Sequence, residues 1–204
     1  MPTTWLDTVL RQTRRATEMP YPHWAAVFLN NPIRRRLGRP GAVVDKVGLN
    51  PADRVLELGP GPGYFSVELA RRLPEGRLEL FDLQPQMLEK ARRTLDRAGH
   101  ANVGYHSGDA SGELPFQNAS FDVAFLAAVL GEVPDKSACI RSLERVLRPG
   151  GLLVFVEAFP DPDRLSPSTL RELAEPNGFA FESCDGTARR DIVRFRRLPS
   201  PNKA

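Results

Sequence analysis

Val55-Leu56-Glu57-Leu58-Gly59-Pro60-Gly61-Pro62-Gly63-Tyr64-Phe65 runs from an apolar strand into a helix through a turn with glycine at alternate positions. Glycine in such a turn lets the backbone approach a ligand closely. A GxGxxG dinucleotide fingerprint needs a third small residue three positions after its second glycine, and here that position is Tyr64. A nicotinamide-dependent reductase therefore loses its main support. Glu57, two positions before the first glycine, puts negative charge at the mouth of the sheet, where it repels a pyrophosphate and attracts a cation. A tight strand-to-helix turn explains one or two glycines; it does not explain three together with Glu57.

On both sides of this loop, strand-length apolar runs alternate with helical patterns. Strands are expected near Arg54 to Leu58, Arg77 to Phe81, Val103 to His106, Phe121 to Ala127 and Leu152 to Glu157. Helices are expected over Tyr64 to Leu73, Pro85 to Ala98 and Lys136 to Leu147. The alternation predicts a doubly wound α/β fold with a mostly parallel sheet. A further helix over Pro167 to Glu175 precedes two β-like runs, Phe179 to Cys184 and Asp191 to Arg196, separated by a turn containing Gly186. They predict an antiparallel hairpin at the sheet edge, for seven strands in all.

Two more carboxylates fall at expected strand ends. Asp82 closes Leu80-Phe81-Asp82, nineteen residues after Gly63, where a carboxylate can grip a ribose diol. With Pro85 following, it also reads as a helix-capping residue. Asp109, in Gly108-Asp109-Ala110, can accept a hydrogen bond from an adenine amine or simply make an Asp-containing turn.

Glu57-x-Gly59-x-Gly61-x-Gly63, Asp82, Gly108-Asp109-Ala110, Phe121-Asp122-Val123-Ala124 and Leu147-Arg148-Pro149-Gly150-Gly151 resemble, in order, the motifs of class I, Rossmann-like S-adenosylmethionine-dependent methyltransferases. The finer likeness is to the small enzymes grouped with ubiquinone and menaquinone biosynthesis, with some likeness to arsenite and phospholipid methyltransferases. The resemblance implies S-adenosylmethionine as methyl donor and S-adenosylhomocysteine as product. It places Glu57, Gly59, Gly61 and Gly63 at the methionine end, Asp82 at the ribose and Asp109 at the adenine. Their neighbours Pro60, Tyr64, Leu83 and Ala110 join the expected contact set. Leu126 to Pro134 is similar to the family's fourth motif, which adds Ala127 and Val129 beside the sulfonium.

Methyl transfer from a sulfonium is an in-line displacement with a neutral leaving group, so positioning supplies much of the acceleration. A hydroxyl or ammonium acceptor needs a base, for which His23, His106, Glu132 and Glu157 are the candidates. No spacing suits a metal, and none is expected. Cys139 and Cys184 stand far apart and read as small buried residues, too few to hold arsenite.

Residues 1–39 read as a helical cap or lid ahead of a catalytic domain over 40–198 and a tail at 199–204. Trp5, Tyr21, Trp24 and Phe28 interleave there with Arg14, Arg15 and Arg34 to Arg36, and eight basic residues face four acidic ones between Met1 and Asp53. Such a segment suits an apolar acceptor with an anionic part, a peripheral membrane contact or RNA, and it also reads as a packed element with a solvated face. The longest apolar run, Val123 to Leu130, is too short to span a membrane, and the cysteine content fits a reducing cytoplasm. The leading expectation is an enzyme acting on a small or lipid-like acceptor. An RNA or protein methyltransferase, or a cofactor-binding protein without transferase activity, stands beside it.

Overall fold

The computed structural model describes residues 39–158 and 161–199. The elements are α1 (Pro40–Asp45), β1 (Arg54–Leu58), α2 (Ser66–Arg71), β2 (Arg77–Asp82), α3 (Pro85–Arg97), β3 (Val103–Ser107) and β4 (Phe121–Ala127). A 3₁₀ turn (Leu130–Glu132), α4 (Lys136–Val146), β5 (Leu147–Ala158), α5 (Pro167–Ala174), a second 3₁₀ turn (Glu175–Asn177), β6 (Phe179–Thr187) and β7 (Arg190–Arg197) follow.

One seven-stranded sheet has the order β3-β2-β1-β4-β5-β7-β6, with β1 to β5 parallel and β7 antiparallel to both neighbours. The expected doubly wound sheet and edge hairpin are both present. Chain order reverses between β1 and β4, which places the ligand crevice of such sheets at their carboxyl ends.

The central strands are buried on both faces, so their runs are continuously apolar, as parallel strands require. Leu56, Leu58, Ala124, Leu126, Leu153 and Phe155 face α4 and α5, with Ile140, Leu143 and Leu170 opposite. Val55, Leu80, Val123, Phe125 and Val154 face the other way, onto Val43, Val44, Leu69, Ala91 and Leu95 from α1, α2 and α3. Local signals fix the helix starts. Asp135 Oδ1 accepts the Ala138 amide at 2.8 Å and Ser166 Oγ the Thr169 amide at 3.1 Å, each satisfying a donor that the first helical turn leaves over.

The structure corrects several expectations. Residues 64–65 lie in the turn, and α2 is only six residues long because the glycine loop continues to Phe65. α1 was not expected; its short apolar pair Val43 and Val44 gives no helical period, yet both are fully buried. β5 starts at Leu147, five residues early, because Leu147 pairs with Phe121 before a register shift. Gly186 lies inside β6, paired with Asp191, so the hairpin turn falls after Thr187. Cys139 is buried as expected, but Cys184 is exposed on the edge strand β6. His23 and the rest of the cap segment lie outside the described residues, as does the tail beyond residue 199.

Candidate active site

The carboxyl ends of β1, β2, β3 and β4 bring the sequence-expected residues to one edge of the sheet. Gly59, at φ 62°, donates its amide to the Phe81 carbonyl at 2.8 Å, which ties the start of the loop to the end of β2. Any side chain on Gly59 would run into the methyl groups of Val129, so the loops after β1 and β4 are packed against each other. Gly61, at φ 54°, has nothing within 4 Å of where a Cβ would sit. Its missing side chain leaves open space over the loop, a cradle into which a ligand can settle.

Glu57 is 2% exposed and is held by one donor, the Ser66 hydroxyl, at 2.6 Å from Oε2. Burial pushes its carboxyl up to about 8, against the Ser66 hydrogen bond, and the Asp82 charge adds to the rise. Asp82 is half-buried at the end of β2. Burial raises its pKa above the usual range, opposed by the amides of Gln84 and Gly61. The Gln84 amide donates to Oδ1 at 2.9 Å, so Asp82 braces the turn before α3 without capping it, the N-cap being Gln84, and the Gly61 amide links it to the glycine loop. Leu83 beside it is 58% exposed, an apolar surface at the crevice rim.

Asp109 is exposed and accepts the Ser111 amide at 2.8 Å, the Asp-containing turn expected as an alternative; Ala110 packs half-buried beneath it. Pro60 is buried and Gly63 and Tyr64 complete the turn; Tyr64 stacks edge-on with Phe65 at 5.0 Å. Ala127 and Val129 are half-buried at the end of β4, and Ala128 between them takes a left-handed φ of 57°. For an alanine that conformation costs about 1–2 kcal/mol, strain of the kind that collects at functional edges.

The candidate bases are placed less favourably. His106 Nε2 lies 2.8 Å from Glu79 Oε2, with Arg77 on the other oxygen of Glu79 at 2.5 Å, and its ring packs edge-on against Phe116. That network locks the ring at the β3 edge. Glu157 is 1% exposed; its Oε2 accepts the Leu165 amide at 3.1 Å, and burial pushes it up to about 8. Opposite it across the strands is Asp191, which is ion-paired with Arg164. Glu132 is exposed in the 3₁₀ turn after β4. Sequence reading missed Ser66, whose only signal is its position directly after the glycine loop, as the first residue of the helix that loop starts.

A cleft of about 240 Å³ opens at the opposite edge of the sheet, lined by Asn50, Asp53, Asp122, Arg148 and Arg194 among others. Its arginines already have protein partners: Arg148 pairs with Asp122 at 2.7 Å, and Arg194 donates to the Lys46 backbone carbonyl at 2.7 Å. It lies far from the strand ends that carry Glu57 and Asp82. Among the described residues no His, Cys, Asp and Glu group has metal-binding geometry, and no helix is long and apolar enough to cross a membrane.

Residues 55–151 match a methyltransferase domain family. A 116-residue stretch is 38% identical to the ubiquinone/menaquinone biosynthesis C-methyltransferase of Idiomarina loihiensis, and covers 56% of this chain and 46% of that one. The enzyme of the same name from Pseudomonas putida is 36% identical over a stretch covering 56% of this chain and 45% of that one. The match thus spans less than half the length of these relatives. A methyltransferase from Aquifex aeolicus superposes with a TM-score of 0.81 at 20% identity, covering 88% of this chain and all of that one. The cyclase SpnF superposes at 0.70 with 18% identity, covering 78% and 80% of the two chains, so the fold by itself does not dictate the reaction.

The strand order is that of the Rossmann-like fold of a solved S-adenosylmethionine-dependent methyltransferase, and residues 55–151, just under half of the chain, are similar to a methyltransferase domain family. Over the matched 116 residues the chain is similar to the ubiquinone/menaquinone biosynthesis C-methyltransferases.

Proposed function

We propose that the protein transfers a methyl group from S-adenosylmethionine to a small or lipid-like acceptor, at a carbon of a quinone-like ring. The observation that carries the reading is the convergence of Glu57, the open loop at Gly61 and Asp82 on one strand-end crevice. The residues fit the cofactor. A buried carboxylate without a cationic partner among the described residues suits a ligand that brings positive charge, and the open space at Gly61 suits close approach of the backbone. When bound there, S-adenosylmethionine would supply an electrophilic methyl group on a good neutral leaving group.

Glu57 would face the cationic end and Asp82 would hold the ribose hydroxyls, with Leu83 as an apolar wall. Asp109 and Ala110 would meet the adenine, and Ala127 and Val129 would shield the reacting side from water. Among the described residues, Glu157 is enclosed with the Leu165 amide, and His106 is held by Glu79 through Nε2 at the edge strand β3, so the acceptor reading is built without a dedicated base. A ring carbon made nucleophilic by ionisation of its neighbouring hydroxyl, the proton going to solvent, would take the methyl directly and then lose its own hydrogen to water as the ring regains aromaticity, which agrees with the carbon methylation in the relatives' names. Incubation with radiolabelled S-adenosylmethionine and hydroquinones bearing an open ring position tests this: label should enter the organic extract. Label appearing instead in RNA or protein would redirect the acceptor assignment.

A further inference from the structure

Glu57 and Ser66 meet beneath the glycine loop, the first 2% exposed and the second fully buried. In β1, Val55 and Glu57 point toward α1 to α3 while Leu56 and Leu58 point toward α4 and α5. The groups around Glu57 are Ser66 from α2, Leu80 of β2 and Phe125 of β4 in register, and Asp82 at the end of β2. The only charge among these is Asp82, and it repels. No cation among the described residues pairs with Glu57.

A carboxylate in that position is costly to ionise, because burial removes water and a single hydroxyl donor replaces it. Burial accordingly pushes Glu57 up to about 8 in the ligand-free protein. A cation arriving in the crevice reverses the balance, since opposite charge favours the ionised form.

We propose that Ser66 is a positioning residue for Glu57, and that entry of a cationic ligand into the glycine-loop crevice expels one proton from Glu57 to solvent. The inference rests on the cofactor reading above. The step breaks the O–H bond of the Glu57 carboxyl; the proton passes to water or buffer, and the carboxylate stays hydrogen-bonded to the Ser66 hydroxyl. Affinity for the cofactor then rises with pH, by up to about tenfold per unit below the Glu57 midpoint. At fixed pH, loss of the Ser66 donor weakens binding by about tenfold, the usual scale for a hydrogen bond to a charged group.

The test is calorimetric titration of S-adenosylmethionine into the full chain between about pH 6 and 7, where an α-amino group of the ligand stays protonated. Repeating it in buffers of different ionisation enthalpy counts protons. About one proton released per ligand bound is expected for the wild type, with release and pH slope both lost in Glu57→Gln. Ser66→Ala should bind more weakly with its pH profile moved upward, and Ser66→Thr should restore it. The wild-type proton count needs no variant to fold. Binding with a flat pH profile and no proton release would overturn the proposal and leave the cofactor reading standing. A folded wild type that does not bind at all would overturn both.

Discussion

Replacing Gly59 by alanine should destabilise the protein far more than its solvent-edge location suggests. Two separable costs add. The left-handed φ of 62° penalises an alanine by about 1–2 kcal/mol. Its Cβ would also be driven into the methyl groups of Val129, an overpacking cost of about 1–3 kcal/mol. The sum is about 2–5 kcal/mol, readable as a lower urea midpoint at unchanged m-value. Val129→Ala removes the obstruction and costs about 1 kcal/mol by itself. The double variant should therefore be at least about 1 kcal/mol more stable than additivity predicts, since the collision is gone and only the backbone strain remains. Strict additivity, or a Gly59→Ala protein within about 0.5 kcal/mol of wild type, would refute the claim that the loops after β1 and β4 are packed through this contact.

Gly61→Ala shares the positive φ but meets open space, so it should lose only about 1–2 kcal/mol of stability while the added methyl weakens cofactor binding in calorimetry. Glu57 and Glu157 are both held near 8 when folded against 4.5 in the reference state. The folded state thus binds more protons than the unfolded one in between, and ligand-free stability should fall steadily as pH rises from about 5 to 8. Glu157→Gln, which still accepts the Leu165 amide, should flatten part of that slope in denaturation measured across pH; an unchanged slope would assign it elsewhere. Arg145 donates to the carbonyls of Leu114 and Phe116 and to Asn118 Oδ1, clamping the segment before β4. Arg145→Ala should cost about 2 kcal/mol and speed hydrogen exchange there before it affects α2, whereas uniform acceleration would indicate only global destabilisation.

The sheet was legible because its strands are buried on both faces, so the runs at Arg54–Leu58 and Phe121–Ala127 carry the full signal and emerge with their expected bounds. Short elements were not. α1 has six residues, too few to show a 3.6-residue period, and it is held by tertiary contacts such as Arg72 with Asp45 and the Gly41 carbonyl. The positions of Glu57, Asp82 and Asp109 at strand ends could be read from spacing. Their partners could not: Ser66 reaches Glu57 only once α2 has folded onto β1, and Glu79 captures His106 across two strands. Cys184 misled because cysteine is usually a small buried residue, whereas the edge strand β6 exposes it.

The most direct measurement is calorimetry of S-adenosylmethionine and S-adenosylhomocysteine against wild type and Asp82→Ala. The account predicts saturable binding by wild type that weakens at least tenfold in the variant, a loss of about 1.4 kcal/mol. A folded wild type that binds neither ligand, or an Asp82→Ala protein that binds both as tightly, would contradict it.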